Sequence, residues 1–228
     1  MSARIRPAIV TLTGTALRQY VGAVLPHAST DDTLPMLTAV VFEVADGALY
    51  ARATDRYTMG IVRHPLDTEQ QQPTSGLSVV ISAAALQATI RQVNARAQVT
   101  LTVTEQAITM EQTGAFTLAC RLPALDERPF LPNWRTWFAD QVRSEPDRAV
   151  HTDRGTALGP AYLARFRPAA RDHLPLRFRP AGRTVVVTCG EHFLGLISPV
   201  RPTDRESAQP DPLNSWLPDT TAVNTKAA

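Results

Sequence analysis

Lysine is almost missing from this 228-residue chain: Lys226 stands alone, and every other cationic side chain is an arginine. Cysteine is scarce too. Cys120 and Cys189 are too few for a disulfide scaffold, and neither lies in a CxxC pair. Both read as buried thiols. The five histidines (His27, His64, His151, His173, His192) are scattered and none stands at metal-ligand spacing from another donor, so no metal or cofactor is expected. No apolar run approaches the ~20 residues that a bilayer span requires. The opening MSARIRPAIV lacks the apolar core of a secretory signal. The chain therefore reads as cytoplasmic, with no membrane partner. Motifs for catalysis are missing as well: there is no GxSxG, Walker A, GxGxxG or HExxH. The acidic pairs Asp31-Asp32 and Asp126-Glu127 fall in turn-like segments, which suits capping or solvation. An enzyme is not expected.

With 44% hydrophobic residues, the chain can bury a real core. Its charge is uneven. Residues 1–133 carry 10 basic and 11 acidic side chains, residues 134–202 carry 11 and 6, and residues 203–228 carry 2 and 4. The middle segment is the basic one.

Periodicity predicts a recurring order of elements. Residues 9–13 alternate as a strand, and residues 14–25 place Leu17, Tyr20, Val21, Val24 and Leu25 at helical spacing, with Thr13 or Thr15 as cap and Pro26 as stop. Strands follow over 36–44, 48–54 and 57–63, with Asp46-Gly47 as a hairpin signal. After a Gln-rich connection over 67–76 the order repeats: strand 77–81, helix 83–93 capped by Ser82, then strands 99–104, 107–112 and 116–122. Strand–helix–three strands thus occurs twice, which implies two similar half-domains sharing a core. A third, partial copy runs through strand 149–152, helix 159–166 and strands 174–179, 184–189 and 192–199. Residues 123–145 read as a linker, and residues 203–228 as a disordered tail holding one apolar island, Leu213-Asn214-Ser215-Trp216-Leu217.

Three segments resemble one family. Residues 34–60, LPMLTAVVFEVADGALYARATDRYTMG, look like the central domain of the bacterial DNA polymerase III beta subunit, the sliding clamp, with Thr54-Asp55-Arg56-Tyr57 as the most specific match. Residues 122–138, LPALDERPFLPNWRTWF, resemble its inter-domain passage. Residues 193–201, FLGLISPVR, resemble its C-terminal strand. The matches fall in family order. Ala39 replaces a family glycine, and Ser198 stands where the family usually has Met. The first family domain is missing, and so is half of the last, with 140–153 in its place.

The resemblance implies an α+β fold of DNA-clamp-like repeats, with mostly antiparallel sheets and the helices on one face. It divides the chain into a central-type domain over 1–133, a partial domain over 134–202 and the tail. It implies a non-enzymatic replication accessory protein, nucleoid-associated, with two surfaces. One is a pocket for the clamp-binding peptides of polymerases or repair proteins, at Leu37, Thr54, Arg56, Tyr57, Thr58, Met59, Pro132, Trp137, Leu196, Ser198 and Pro199. The other is a helix face meeting duplex DNA without sequence preference, through Arg18, Arg91, Arg96, Arg165, Arg167 and Arg171. Assembly into a homo-oligomer is part of the same expectation. The alternative is a monomeric adaptor or decoy that binds such peptides without encircling DNA.

Overall fold

The structure, a computed structural model, describes residues 7–66, 76–113, 118–152, 154–171, 173–201, 203 and 209. All of the Gln-rich connection but Gly76, the start of the strand expected at 116 and nearly all of the tail lie outside the described residues.

The first repeat comprises β1 (Ala8–Thr13), α1 (Gly14–Gly22), β2 (Ala39–Ala45), β3 (Ala48–Thr54) and β4 (Thr58–Pro65). The second comprises β5 (Leu77–Ser82), α2 (Ala83–Gln92), β6 (Gln98–Val103), β7 (Ala107–Thr113) and β8 (Leu118–Pro123). Each helix starts where the sequence supplies a hydroxyl. Thr13 accepts from the Ala16 amide at 3.1 Å, and Ser82 accepts from the Ala85 amide at 3.3 Å. Helix α1 stops at Gly22, three residues short of the expected end, and Pro26 falls inside a 3-10 turn over Leu25–His27. Strand β2 likewise starts late, because Pro35 sets a 3-10 turn over Pro35–Leu37.

The repeats exchange their first strands. β1 pairs with β6 and β5 pairs with β2, so neither unit has a complete sheet of its own. The result is a four-stranded sheet, β1-β6-β7-β8, and a longer sheet whose β5-β2-β3-β4 part mirrors it. All of these pairings are antiparallel. Helices α1 and α2 lie side by side, as the repeat requires. The Gly14 amide donates to Ala97 O (2.8 Å), the Thr15 amide donates to Ala95 O (2.9 Å), and the Arg18 guanidinium donates to Val93 O. Gly14 is needed at this contact, since a Cβ there would sit 2.0 Å from Asn94 O. The main core fills the space beneath these helices, with Leu17, Val21, Leu86, Phe42, Leu49, Leu101 and Ile108 all buried.

The third unit extends the longer sheet. It contains the short hairpin β9 (His151–Thr152) and β10 (Gly155–Thr156), helix α4 (Pro160–Ala164), and strands β11 (Arg177–Ala181), β12 (Thr184–Cys189) and β13 (Phe193–Ile197). Strand β13 pairs antiparallel with β4, giving a seven-stranded order β11-β12-β13-β4-β3-β2-β5. The strand expected at 149–152 stays in its own hairpin and joins neither large sheet. At the β4–β13 seam Gly60 faces Gly195. These glycines leave room for a buried aromatic cluster, in which His27 meets Phe166 at 4.7 Å and Phe166 meets Phe193 at 6.0 Å. A Cβ on Gly60 would lie 2.3 Å from the His27 ring.

Helices α1, α2 and α4 share one face of the longer sheet. The segment expected to be a linker holds a further helix, α3 (Trp134–Arg143), and α3 lies on the opposite face. Trp134 and Phe138 are buried there against Met59, Ile61, Val186 and Leu196. Cys189 is buried as expected, whereas Cys120 on the outermost strand β8 is only half-buried, because no strand covers that edge among the described residues.

Candidate functional site

The turn between β3 and β4 is built by its own side chains. Thr54 Oγ1 donates to Thr58 O at 2.7 Å. Asp55 Oδ1 accepts from the Tyr57 amide (3.1 Å), the Thr58 amide (2.7 Å) and the Thr58 hydroxyl (3.0 Å). These bonds hold Arg56 at φ +79°, a left-handed conformation that costs a non-glycine residue on the order of 1 kcal/mol. Arg56 and Tyr57 consequently project into solvent, and Tyr57 is 50% exposed.

Asp55 itself is only 8% exposed. Burial pushes its carboxyl up, but the Thr58 amide and the Arg165 guanidinium outweigh this and hold it below the usual carboxylate range. Arg165, at the end of α4, donates to Asp55 and also to Thr58 Oγ1 (3.1 Å). Tyr162 of α4 stacks on Tyr57 with ring centroids 5.3 Å apart. The third repeat thus grips the turn of the first.

On the α3 side of the seam, strands β4 and β13 offer Met59 and Leu196, which face each other across the ladder. Two positions further, Ile61 faces Leu194. Helix α3 crosses this surface and is pinned at its start: Trp134 Nε1 donates to Glu43 at 2.9 Å, and Arg135 binds Glu43 while stacking on Tyr50 and Trp134. The chain between β8 and α3 runs over the same face, with the Leu125 amide bonded to Val80 O (2.8 Å) and Arg52 donating to Phe130 O. Burial lowers the Arg52 guanidinium to about 10, with Arg135 adding to this and Glu43 opposing it.

Between the turn, the seam and the foot of α3 lies an open groove of about 270 Å3. It is lined by Thr54, Arg56, Tyr57, Thr58, Met59, Phe130, Leu131, Trp137, Thr184, Leu196 and Ser198. Segments more than a hundred residues apart in sequence meet here, and Ser198 joins them directly by donating its amide to Tyr57 O at 2.8 Å. Eight of the expected pocket residues line this groove. Leu37, Pro132 and Pro199 do not. Leu37 is buried in the 3-10 turn before β2, and Pro132 is exposed just ahead of α3. Phe130, Leu131 and Thr184 are lining residues that the sequence reading missed. Leu131 adopts φ +52°, a left-handed conformation that no local motif announces. Met59 and Leu196 are 3% and 4% exposed, so they form a floor rather than open anchors.

The opposite face of the sheet carries the helices. Arg18, Arg91, Arg96 and Arg167 are exposed there, and Arg171 is half-buried close to His64, whose imidazole is held below its ordinary range by burial and by that charge. Arg165 is engaged by Asp55. No helix of the described residues is long and apolar enough to cross a membrane.

Residues 11–126 match the family model of the DNA polymerase III beta subunit, central domain. No curated protein matches the sequence. Solved structures share the fold at low identity. The Bacillus subtilis DNA polymerase sliding clamp aligns with a TM-score of 0.62 at 15% identity, over 89% of this chain and 67% of that one. The beta subunit of Streptococcus pyogenes DNA polymerase gives 0.60 at 17%, over 89% and 67%. The Pseudomonas aeruginosa DNA polymerase III subunit beta gives 0.55 at 15%, over 89% and 68%. The fold repeat, the strand exchange and the family match over half the chain agree: this chain belongs to the DNA polymerase III beta subunit family, the sliding clamps of DNA replication.

Proposed function

We propose that this protein is a non-enzymatic replication accessory factor that receives short apolar peptides from polymerases or repair proteins in the Tyr57–Trp137–Leu196 groove. The observation that carries this reading is the groove's construction. The β3–β4 turn, the start of α3 and the end of β13 converge on one apolar hollow with polar groups at its rim, which is the form a peptide anchor requires. The helix face meets duplex DNA through Arg18, Arg91, Arg96, Arg167 and Arg171. Phosphate contact, not base reading, suits arginines scattered over two helices and the turns beside them.

The experiment is a fluorescence-anisotropy titration with a peptide from the clamp-binding segment of a bacterial replicative polymerase. Saturable binding is expected, and Trp137→Ala, at a half-buried wall position, weakens it about tenfold or more while circular dichroism stays unchanged. No saturable binding to the unaltered protein would remove the peptide site. A second reading, an adaptor that holds such peptides without encircling DNA, draws on the third unit: its β11 ends the seven-stranded sheet, and no exchanged partner unit accompanies it among the described residues. Retention on closed circular DNA but not on linear DNA separates the two, since only a ring is topologically held.

A further inference from the structure

We infer that residues 213–217 of the same chain, Leu-Asn-Ser-Trp-Leu, occupy the groove in the free protein, so that a partner peptide binds by displacing them. This rests on reading the groove as a peptide site. The groove needs an apolar occupant. Met59, Leu131, Trp137 and Leu196 line it, and about 270 Å3 holds one or two large side chains rather than a folded surface.

The tail starts close to that hollow. Ser198 lines the groove, and Val200 is fixed just beyond it by its amide bond to Ala157 O (2.9 Å). The ten residues from Thr203 to Leu213 reach roughly 17 Å if they behave as a random coil and up to ~35 Å if fully extended. A return to a lip only a few residues upstream of Thr203 is well within this reach. Residues 203–228 hold two basic and four acidic side chains, and Leu213, Trp216 and Leu217 are their one apolar cluster. So polar a composition offers Trp216 few apolar partners of its own. Pro212 and Pro218 bracket the cluster in the sequence. The flanking Asp211 and Asp219 complement Arg56, which is exposed at the groove's rim. A tether of this length sets a local concentration in the mM range, so even a weak intrinsic affinity keeps the groove largely covered.

The test uses the full chain labelled with 5-fluorotryptophan, whose three 19F resonances (Trp134, Trp137, Trp216) are assigned by single Trp→Phe replacements. The expected Trp216 resonance differs from that of a synthetic 208–222 peptide alone and is unchanged by tenfold dilution. It moves to the free-peptide position in Thr184→Arg, which fills the groove wall, and on saturation with the polymerase peptide. Trp216→Ala with Leu217→Ala is expected to tighten polymerase-peptide binding threefold or more. A Trp216 resonance at the free-peptide position in the unaltered chain overturns the inference, and if the polymerase peptide still binds, the groove reading stands without it. A docked Trp216 in a protein that never binds the polymerase peptide upholds the contact and removes the partner reading. A shift that fades on dilution overturns docking within one chain in favour of docking between copies, and one that ignores Thr184→Arg overturns the groove as its seat.

Discussion

Arg165, at the end of α4, donates to the carboxylate of Asp55, which lies 110 residues earlier in the chain. The Asp55 carboxylate also accepts both amides that shape the β3–β4 turn, so one ion pair ties the third repeat to the rim of the groove. Removing the guanidinium leaves a nearly buried carboxylate short of its charged partner. Arg165→Met is expected to cost about 2 kcal/mol of stability in urea denaturation, within the range for hydrogen bonds to charged groups. It should also weaken peptide binding several-fold, because Tyr57 loses its fixed turn. Adding Asp55→Asn to Arg165→Met should cost less than the two single losses combined, since the stranded charge is gone. Strict additivity would show that the pair is not coupled.

His27 supplies a pH dependence. Its ring is fully buried among Phe166, Phe193 and Gly60, and neither ring nitrogen has a hydrogen-bond partner. Burial, reinforced by the nearby Arg165 charge and opposed by Asp55, lowers its pKa from 6.5 to about 3. Between those values the unfolded chain binds a proton that the folded chain refuses. Stability is therefore complete above pH 6.5 and falls as the pH drops toward 3, by up to ~1.4 kcal/mol per unit. His27→Leu should flatten most of this slope. A smaller slope of the same sign remains from His64, which burial and Arg171 also lower. An unchanged slope in His27→Leu would place the proton-linked group elsewhere.

Much of this architecture was legible in the sequence, because alternation such as the buried–exposed pattern of β1 is a local signal. The Ser82 cap was legible for the same reason, and the first cap was narrowed to Thr13 or Thr15, of which Thr13 serves. Strand exchange was not, since β1 carries the same alternation whichever sheet receives it. Helix α3 was missed although Trp134, Phe138 and Val142 stand at i, i+4 and i+8. Two tryptophans after Pro132 read as a linker, and Asn133 makes no side-chain cap that would have marked a start. The groove was found only in part. Motif resemblance brought Thr54–Thr58 and Leu196–Ser198 together, but a motif cannot report that Leu131 turns with φ +52° or that Thr184 arrives from a neighbouring strand.

Burial changes how the groove should be probed. Met59 is 3% exposed and packs with Ile61, Trp134, Phe138 and Leu196. A carboxylate at that position has no partner, so Met59→Glu is expected to destabilise the fold by about 3 kcal/mol or more, with loss of peptide binding as a consequence. Trp137→Ala should separate binding from folding. Equal urea midpoints for Met59→Glu and the unaltered protein would mean that the floor opens to solvent.

The helix face gives the last prediction. Arg91 and Arg167 are exposed there, on α2 and beside α4, whereas Arg128 is exposed on the segment crossing the opposite face. If the helices carry the duplex, affinity follows counterion release: about four phosphate contacts lower it on the order of a hundredfold between 50 and 200 mM salt. Arg91→Glu with Arg167→Glu should abolish binding at 150 mM salt and reduce the slope of log affinity against log salt by about 2. Arg128→Glu alters the net charge by the same amount per site but should leave both quantities nearly unchanged. The measurement is anisotropy of a fluorescent duplex at four salt concentrations, repeated with a second, unrelated sequence. Equal losses from Arg128→Glu would show that only overall charge matters, and a strong dependence on duplex sequence would contradict phosphate contact as the mode of binding.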